Sequence, residues 1–381
     1  ISSTTWDYDH ADMKELNQKI YGNDLAEKFD RYYKKSIEED WFPDYSKNGW
    51  KMGFFAGNNG ANWRATGSTW RKTAFEELET IVSLAPDMGV TSLYSDYVLP
   101  IAHHYERNDL MLQSRVPYLQ VLNEAVPPLG EAVDDWEANR RLAEAISRRA
   151  KERNIKPIQD AVDGRTVRRD YTKTLELYTM GGRVNNSKDV AQFIINASHG
   201  IPKISFEELS QKGIVKVEGV ESTMWEKDES PYHNEIVKSV KKKLPYETFT
   251  GRQQFYIDHE WFIEFGETLP TFKEPLKIDE FPLRMMMGHA RHGIHSTWRD
   301  DSFLLSLQRG EPDIYVNPDD AINRGVQDGD MIRVYNTAGE FFAMAHVSSG
   351  IQPGMLFMYH GWDPKMFKGG KNFSEVIPTG G

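Results

Sequence analysis

Between residues 51 and 100, short apolar runs alternate with helical and loop segments, and this alternation restricts the possible folds more than any other feature. A buried strand is predicted at 51–56, a second strand at 79–84, and a turn followed by a third strand at 91–100. A helix is predicted over 69–78. Strands that are joined through helices form parallel sheets, and loops at their carboxyl ends hold ligands. The pattern therefore predicts an α/β fold with a doubly wound parallel sheet.

A second pattern, of closely spaced strands joined by glycine-containing turns, occupies the C-terminal part of the chain. Strands are predicted at 283–287, 313–317, 331–336, 341–347 and 356–360. Strands that lie this close in sequence, with turns between them, are typical of a small β-barrel.

These changes of pattern divide the chain into four predicted regions. They are an irregular surface segment at 1–48, an α/β domain at 49–153, a mixed connecting region at 154–275 and a β-barrel domain at 276–381. The α/β domain ends in an amphipathic helix from Asp134 to Arg153. The chain begins at Ile1 and ends after a Pro-Thr-Gly-Gly loop, so both ends are expected to be cuts inside a longer protein.

The composition excludes several classes of function. The 381 residues carry a net charge of -11, which argues against a nucleic-acid surface because phosphate binding needs clustered positive charge. The chain contains no Cys, so it holds no disulfide, no thiolate metal site and no Fe–S cluster bound through its own thiolates. No apolar stretch approaches the length of a membrane span.

A polar turn from Gly288 to Asp301 directly follows the predicted strand at 283–287. It brings three His within seven residues, together with Arg and hydroxyl side chains. The His spacing does not match a helical zinc motif, and no Cys is available to complete one. Arg, Ser, Thr and His donors suit a large, anionic, heterocyclic ligand better, so this turn is predicted to hold such a ligand.

Eleven residues are candidates for binding the ligand, and each also has a purely structural interpretation. The candidates before the turn could bring the backbone close to a nucleotide, or could accept hydrogen bonds from its guanine or ribose. In the structural interpretation they form ordinary turns and caps. Those in the turn could donate to a phosphate or a ring, or they could cap a helix or sit satisfied in the core. The candidates are Asn58, Asn59, Gly60, Asp96, His289, Arg291, His292, His295, Ser296, Thr297 and His360.

Three motifs, which occur in this order, resemble one protein family. The first is Tyr94–Pro100 followed by Tyr105-Glu106-Arg107, and the second runs from Gly288-His289 through Ile294–Thr297. The third begins at Asn317–Ala321 and continues through Asp328-Gly329-Asp330. Together they resemble the molybdenum bis-pterin-guanine-dinucleotide oxidoreductases, the dimethyl sulfoxide reductase family, in the branch of nitrate reductase, nitrite oxidoreductase and ethylbenzene dehydrogenase.

The resemblance implies the C-terminal portion of a catalytic subunit that binds molybdenum bis(molybdopterin guanine dinucleotide). It implies a barrel of the double-psi type, with His289 and His295 against the pterin rings. No segment resembles the metal-ligand region, so the catalytic residues are unknown, this chain contributes no metal ligand, and the portion alone is expected to be inactive. Fe–S clusters are expected in the remainder of the catalytic subunit and in an iron-sulfur partner subunit, with a heme subunit as a further partner.

The resemblance favours two-electron oxygen-atom transfer between nitrate and nitrite, in a periplasmic or equivalent compartment. Oxygen-independent hydroxylation of a hydrocarbon and reduction of (per)chlorate or selenate are the alternatives within the family. Outside it, one alternative is a non-catalytic scaffold that binds the cofactor. Another is a flavin or nicotinamide enzyme, but no Gly-x-Gly-x-x-Gly loop follows the first strand.

Overall fold

The computed structural model describes most of the chain in two compact units. Described are residues 8, 13–39, 41, 49–63, 67–113, 116–162, 165–217, 239, 242–246, 248, 250–272, 280–291, 293 and 295–377. One unit comprises 1–83, 87–98 and 256–381, and the other comprises 84–86 and 99–255. The predicted domain boundaries are not tested by this division and stay a prediction.

The described part of 1–48 is largely helical, whereas the sequence predicted an irregular segment with helical patches such as Leu25–Tyr33. This part forms α1 (Met13–Tyr21) and α2 (Asn23–Glu38), and the patch lies within α2. Tyr32 of α2 stacks on Trp261, with ring centroids 4.6 Å apart. Lys28 and Tyr32 both donate to Glu264. These helical contacts depend on residues more than 200 positions away, which a local pattern does not reveal.

The first sheet contains three strands in the order β1-β2-β3, and helices lie in both connections, as parallel strands require. Its elements are β1 (Met52–Ala56), α3 (Gly60–Trp63), α4 (Gly67–Lys72), α5 (Ala74–Glu77), β2 (Thr80–Ala85), α6 (Val90–Leu93) and β3 (Tyr97–Pro100). The central strand β2 confirms the strand predicted at 79–84, and it is buried. The edge strand β1 is only half buried, and the single helix predicted over 69–78 is broken at Thr73.

The second unit contains mostly antiparallel strands and helices. Its elements are β4 (Asp109–Leu112), β5 (Tyr118–Leu122), α7 (Asp135–Glu152), β6 (Ile158–Val162), β7 (Arg165–Arg169), α8 (Thr174–Tyr178), α9 (Ser187–Ala197), α10 (Phe206–Lys212) and β8 (Ile214–Lys216), with 3-10 turns at His104–Glu106 and Tyr171–Lys173. The predicted amphipathic helix is α7, and the Asp134 side chain caps it by accepting from the Glu137 N–H. Leu119, Ile195 and Leu209 belong to the core.

The C-terminal strands form an open sheet of five strands in the order β11-β12-β10-β13-β9. The elements are α11 (Glu260–Glu264), β9 (Arg284–Gly288), α12 (Ser302–Leu304), a π turn (Leu305–Arg309), β10 (Asp313–Val316), α13 (Pro318–Ile322), β11 (Met331–Tyr335), β12 (Glu340–Val347) and β13 (Met355–Tyr359), then 3-10 turns at Pro364–Met366 and Phe373–Glu375. Strands β10 and β12 are parallel, as are β13 and β9, and the other pairs are antiparallel.

A closed β-barrel was predicted, but the described strands do not close one. The outer strands β9 and β11 each pair on one side only within the described chain, so the sheet has two edges. One face of the sheet packs on a core that includes Ile314, Phe341, Met358 and Trp362. The double-psi topology stays a prediction. Among the described helices, none has both the length and the apolar composition needed to span a membrane.

Candidate functional site

Three imidazole rings meet at one end of the C-terminal sheet. Strands β9 and β13 are parallel neighbours, with Gly288 opposite Tyr359, so His289 and His360 leave the sheet side by side. His295 reaches the same place from the turn. Ring centroids are 4.8 Å apart for His289 and His295, 4.5 Å for His289 and His360, and 5.2 Å for His295 and His360. The rings of His289 and His295 are exposed, and that of His360 is partly buried.

A glycine allows the turn to pass close to strand β13. Gly361 has φ +91°, and a Cβ at this position would lie 2.0 Å from the carbonyl oxygen of His295. His295 itself has φ +52°, a left-handed conformation that is uncommon for a residue with a side chain. The surrounding structure must hold such a conformation in place. The position of the His295 ring therefore depends on the close passage at Gly361.

A buried ion pair lies beneath the turn. Arg299 donates from Nε to Asp363 Oδ2 at 2.5 Å, and only 1% of Arg299 and none of Asp363 is exposed. Its Nη1 donates to Asp87 Oδ2 at 2.9 Å and to the Ser296 carbonyl at 3.1 Å. Burial raises the pKa of the Asp363 carboxyl, and the hydrogen bond and charge of Arg299 oppose that rise. Arg299 thus fixes the backbone one residue after His295.

Two buried amides extend this polar network. Asn62 donates to Asp363 Oδ1 at 3.2 Å, and Asn372 donates to Asn62 Oδ1 at 2.6 Å and to the Trp362 carbonyl at 3.2 Å. None of Arg299, Asp363, Asn62 or Asn372 was predicted from the sequence. Their only sequence signal is polarity within loops, which is also the mark of solvent-exposed residues.

The predicted loop at 58–60 lies next to the turn through Asn59. Its Nδ2 donates to Ser296 Oγ at 3.3 Å, and its Oδ1 accepts from the Thr91 N–H at 3.0 Å. Asn58 is exposed, and Gly60 is buried at the start of α3. The side-chain nitrogen and oxygen of Asn59 therefore both form hydrogen bonds within the protein. Its role in ligand binding stays a prediction.

The remaining predicted residues lie in different surroundings. Asp96 Oδ2 accepts from the Ile81 N–H at 2.7 Å, which joins it to strand β2. Arg291 and Thr297 are exposed within the turn, and Ser296 is half-buried. His292 lies outside the described residues. The predicted ligand contacts of all these residues stay predictions.

The donor set fits a large heterocyclic cofactor. Exposed imidazoles offer hydrogen-bond donors or acceptors to a ring, and Ser296 adds a hydroxyl beside them. The Nη2 group of Arg299 is buried and has no hydrogen-bond partner among the described residues. One ring nitrogen from each of the three His also lies within 4.8 Å of the other two, so the same group could hold a metal ion.

Two stretches of the chain match known families. Residues 283–379 match the family described as "Molydopterin dinucleotide binding domain", and residues 24–145 match the family described as "Molybdopterin oxidoreductase". The histidine cluster lies wholly within the first stretch, and the loop at 58–60 lies within the second.

Curated relatives are similar to nearly the whole chain. The respiratory nitrate reductase subunit alpha of Haloferax mediterranei is 32% identical, over 99% of this chain and 40% of its own length. The dimethylsulfide dehydrogenase subunit alpha of Rhodovulum sulfidophilum is 34% identical, over 97% of this chain and 40% of its own. The perchlorate reductase subunit alpha of Dechloromonas aromatica is 32% identical, over 94% and 38%. The chain thus spans about 40% of the length of these relatives.

A solved structure supports the fold. Acetylene hydratase from Pelobacter acetylenicus superimposes with a TM-score of 0.59 over 86% of this chain and 40% of that chain. The sequences are 17% identical, so this likeness concerns the fold alone.

Proposed function

The chain belongs to the dimethyl sulfoxide reductase family of molybdopterin oxidoreductases, and on that premise we propose that it is the cofactor-binding C-terminal portion of a catalytic subunit. The cofactor is of the molybdenum bis(molybdopterin guanine dinucleotide) class. When bound, it supplies two-electron oxygen-atom transfer at its metal. The residues of this chain would orient and tune the organic part of the cofactor.

One observation carries this proposal: His289, His295 and His360 converge where two parallel strands end, inside the matched dinucleotide-binding domain. Imidazoles at that position would hydrogen-bond to the pterin rings, and their ring N–H groups would influence the electron density of the heterocycle. Ser296 would donate to the same group or to a phosphate. Arg299 would act indirectly, because its hydrogen bond holds the Ser296 carbonyl in place.

The rest of the machinery is proposed to lie outside this chain. The chain has no Cys, so Fe–S clusters would be held by the remainder of the catalytic subunit and by an iron-sulfur partner subunit. The protein ligand of the metal would also come from that remainder. The relatives bear the name of alpha subunits, which supports a complex of several chains. A heme subunit and a periplasmic location are further parts of this proposal.

For the substrate we favour nitrate and nitrite. The nitrate reductase subunit of Haloferax mediterranei is similar over 99% of the chain, which supports this choice. Dimethylsulfide dehydrogenase, at 34% identity, supports a second candidate, namely oxidation of a small sulfide. Perchlorate reductase supports a third, the reduction of an oxochlorate. Hydrocarbon hydroxylation remains the further alternative that the sequence motifs suggested.

The test is to purify the native complex, measure its metals and pterin, and assay it with a matched panel of substrates. We expect molybdenum, bound pterin dinucleotide and iron, with the highest kcat/KM for nitrate reduction or nitrite oxidation. A higher kcat/KM for dimethyl sulfide or chlorate would change the proposed substrate but would leave the proposed molybdopterin oxidoreductase function intact. A complex without molybdenum or tungsten would support a scaffold and refute the enzymatic proposal.

A further inference from the structure

We propose that, when the pterin cofactor is absent, His289, His295 and His360 form a binding site for one divalent transition-metal ion such as Zn²⁺ or Co²⁺. The three side chains come from two strand ends and a turn, and one ring nitrogen of each lies within 4.8 Å of the chosen nitrogens of the other two. Metal-ligating His sets of this kind usually use neutral imidazole nitrogens. The proposed ion is distinct from the molybdenum of the cofactor.

The ring positions match those of a three-imidazole site. At a Zn–N distance of about 2.1 Å, two ligating rings have centroids roughly 4.5 Å apart at a right angle and roughly 5.2 Å apart at a tetrahedral angle. The observed centroid distances are 4.5, 4.8 and 5.2 Å. Rotation about a metal–nitrogen bond leaves the ring planes free, so the interplanar angles of 76°, 67° and 12° are all permitted. Nitrogens that share one Zn²⁺ at about 2.1 Å lie roughly 3.0–3.4 Å apart, so rotation of the side chains must bring these nitrogens, now within 4.8 Å of one another, closer together.

The surroundings of the cluster favour an ion that enters from solvent. His289 and His295 are exposed, so an ion can reach them without opening the core. Three protein ligands leave further coordination positions for water or a small anion. The nearby cation Arg299 is paired with Asp363 and Asp87, so its charge is largely compensated. The absence of Cys from the chain removes thiolates that would compete for the ion.

The ion and the cofactor would exclude each other, and this part of the inference rests on the proposed function. An imidazole nitrogen that ligates an ion has no lone pair or N–H left for a hydrogen bond to a pterin ring. A bound ion would therefore block insertion of the cofactor, and an inserted cofactor would prevent the ion from binding.

The direct test is a Co²⁺ titration of the cofactor-free catalytic subunit, followed by visible absorption and by X-ray absorption at the cobalt edge. We expect one equivalent with a d–d band and a shell of three imidazoles. Loss of a residue that only supports a metal ligand typically costs roughly 10–100-fold in affinity, so His289→Gln and His360→Gln, which each remove a ligand, should weaken binding by at least that much. His346→Gln is the matched control, because the His346 ring packs at a tilt against Tyr315 in the middle of the sheet, and its loss should not alter binding.

The results separate the two claims. Absence of the band, a shell with fewer than three imidazoles, or equal affinity in the His289 and His360 variants would overturn the metal site. For competition, Zn²⁺ is added before cofactor loading, and pterin content is measured by fluorescence of the released pterin. Loading that is slowed by Zn²⁺ in the wild type and not in His360→Gln supports exclusion. Loading at an unchanged rate with the ion retained refutes exclusion, and failure of the wild type to take up pterin without Zn²⁺ refutes the proposed function.

Discussion

At the scale of single residues, the Arg299–Asp363 pair should contribute most to the integrity of the site. Replacing Arg299 with Met would leave the carboxylate of Asp363 buried without its cation, which costs about 3–5 kcal/mol for a buried pair. Urea unfolding of the variant should show that loss. Arg333→Met is the matched control, because its pair with Glu340 is 2.7 Å long but exposed, and such pairs contribute about 1 kcal/mol or less. Equal effects of the two substitutions would contradict the assigned role of Arg299.

A second prediction at this scale concerns the close passage at Gly361. Gly361→Ala would place Cβ 2.0 Å from the His295 carbonyl oxygen, so the turn must shift and carry the His295 ring with it. Gly369→Ala is the control, since Gly369 also has a positive φ (+83°) but nothing within 4 Å of the added Cβ. The control should lose about 1 kcal/mol from backbone strain alone, and Gly361→Ala should lose more. Thermal unfolding measures the stability of both variants, and the pterin content of each purified variant is measured alongside. A pterin content equal to that of the control would show that His295 does not depend on this passage.

At the scale of elements, sequence patterns located most strands of the first and C-terminal sheets well, but they did not reveal how the C-terminal strands pair. The runs that became β2, β10, β11 and β12 were predicted within about two residues, because alternation and turn residues are local properties. The half-exposed state of β1 follows from its place at the sheet edge, which is set by its partners. The open arrangement of the C-terminal strands likewise depends on pairing between distant segments.

The same difference explains which parts of the site were foreseen. The turn at 288–301 was predicted because its polar residues are contiguous in sequence. The approach of His360 to His289, 71 positions earlier, requires the parallel pairing of β9 with β13. Arg299 and Asp363 were missed because a charged residue in a loop is usually exposed, and their burial is decided by packing between segments that are far apart in sequence.

A prediction at the element scale concerns the docking of α2 on α11. The hydrogen bond from Lys28 lowers the pKa of the Glu264 carboxyl below its ordinary value of 4.5. An acid whose pKa is lowered by folding stabilises the folded state above its unfolded pKa, and loses that contribution as pH falls through the folded value. The stability difference between wild type and Glu264→Gln should therefore be constant from pH 7 to pH 5 and shrink progressively as pH falls below 4.5.

Thermal unfolding of both proteins across that range measures this difference. Glu39→Gln is the control, since Glu39 lies 3.6 Å from Lys35 in an exposed pair and should have little effect at any pH. A stability difference for Glu264→Gln that persists unchanged at pH 3.5 would mean that the side chain acts through packing rather than through its charge.

At the scale of the whole molecule, the chain combines a proposed cofactor-binding surface with a sequence that contains no thiolate. It spans about 40% of the length of its relatives and has no Cys. Substituting its histidines should therefore lower the cofactor content of the complex without changing its Fe–S content. In the purified complex, the double substitution His289→Ala and His295→Ala should lower molybdenum and pterin together. Each lost hydrogen bond weakens cofactor binding by about 1 kcal/mol, or roughly fivefold. Iron content and the electron paramagnetic resonance spectrum of the clusters should remain those of the wild type.

His346→Ala is the control for this experiment, because it also removes an imidazole from the C-terminal sheet but lies against Tyr315, on the paired strands β10 and β12. It should leave molybdenum, pterin and iron unchanged. Parallel loss of iron and molybdenum in the double variant would point to failed assembly of the complex, and retention of all three would exclude these imidazoles from cofactor binding. Selective loss of molybdenum and pterin is the result that follows if the turn and strand β9 hold the organic part of the cofactor while other segments hold the clusters.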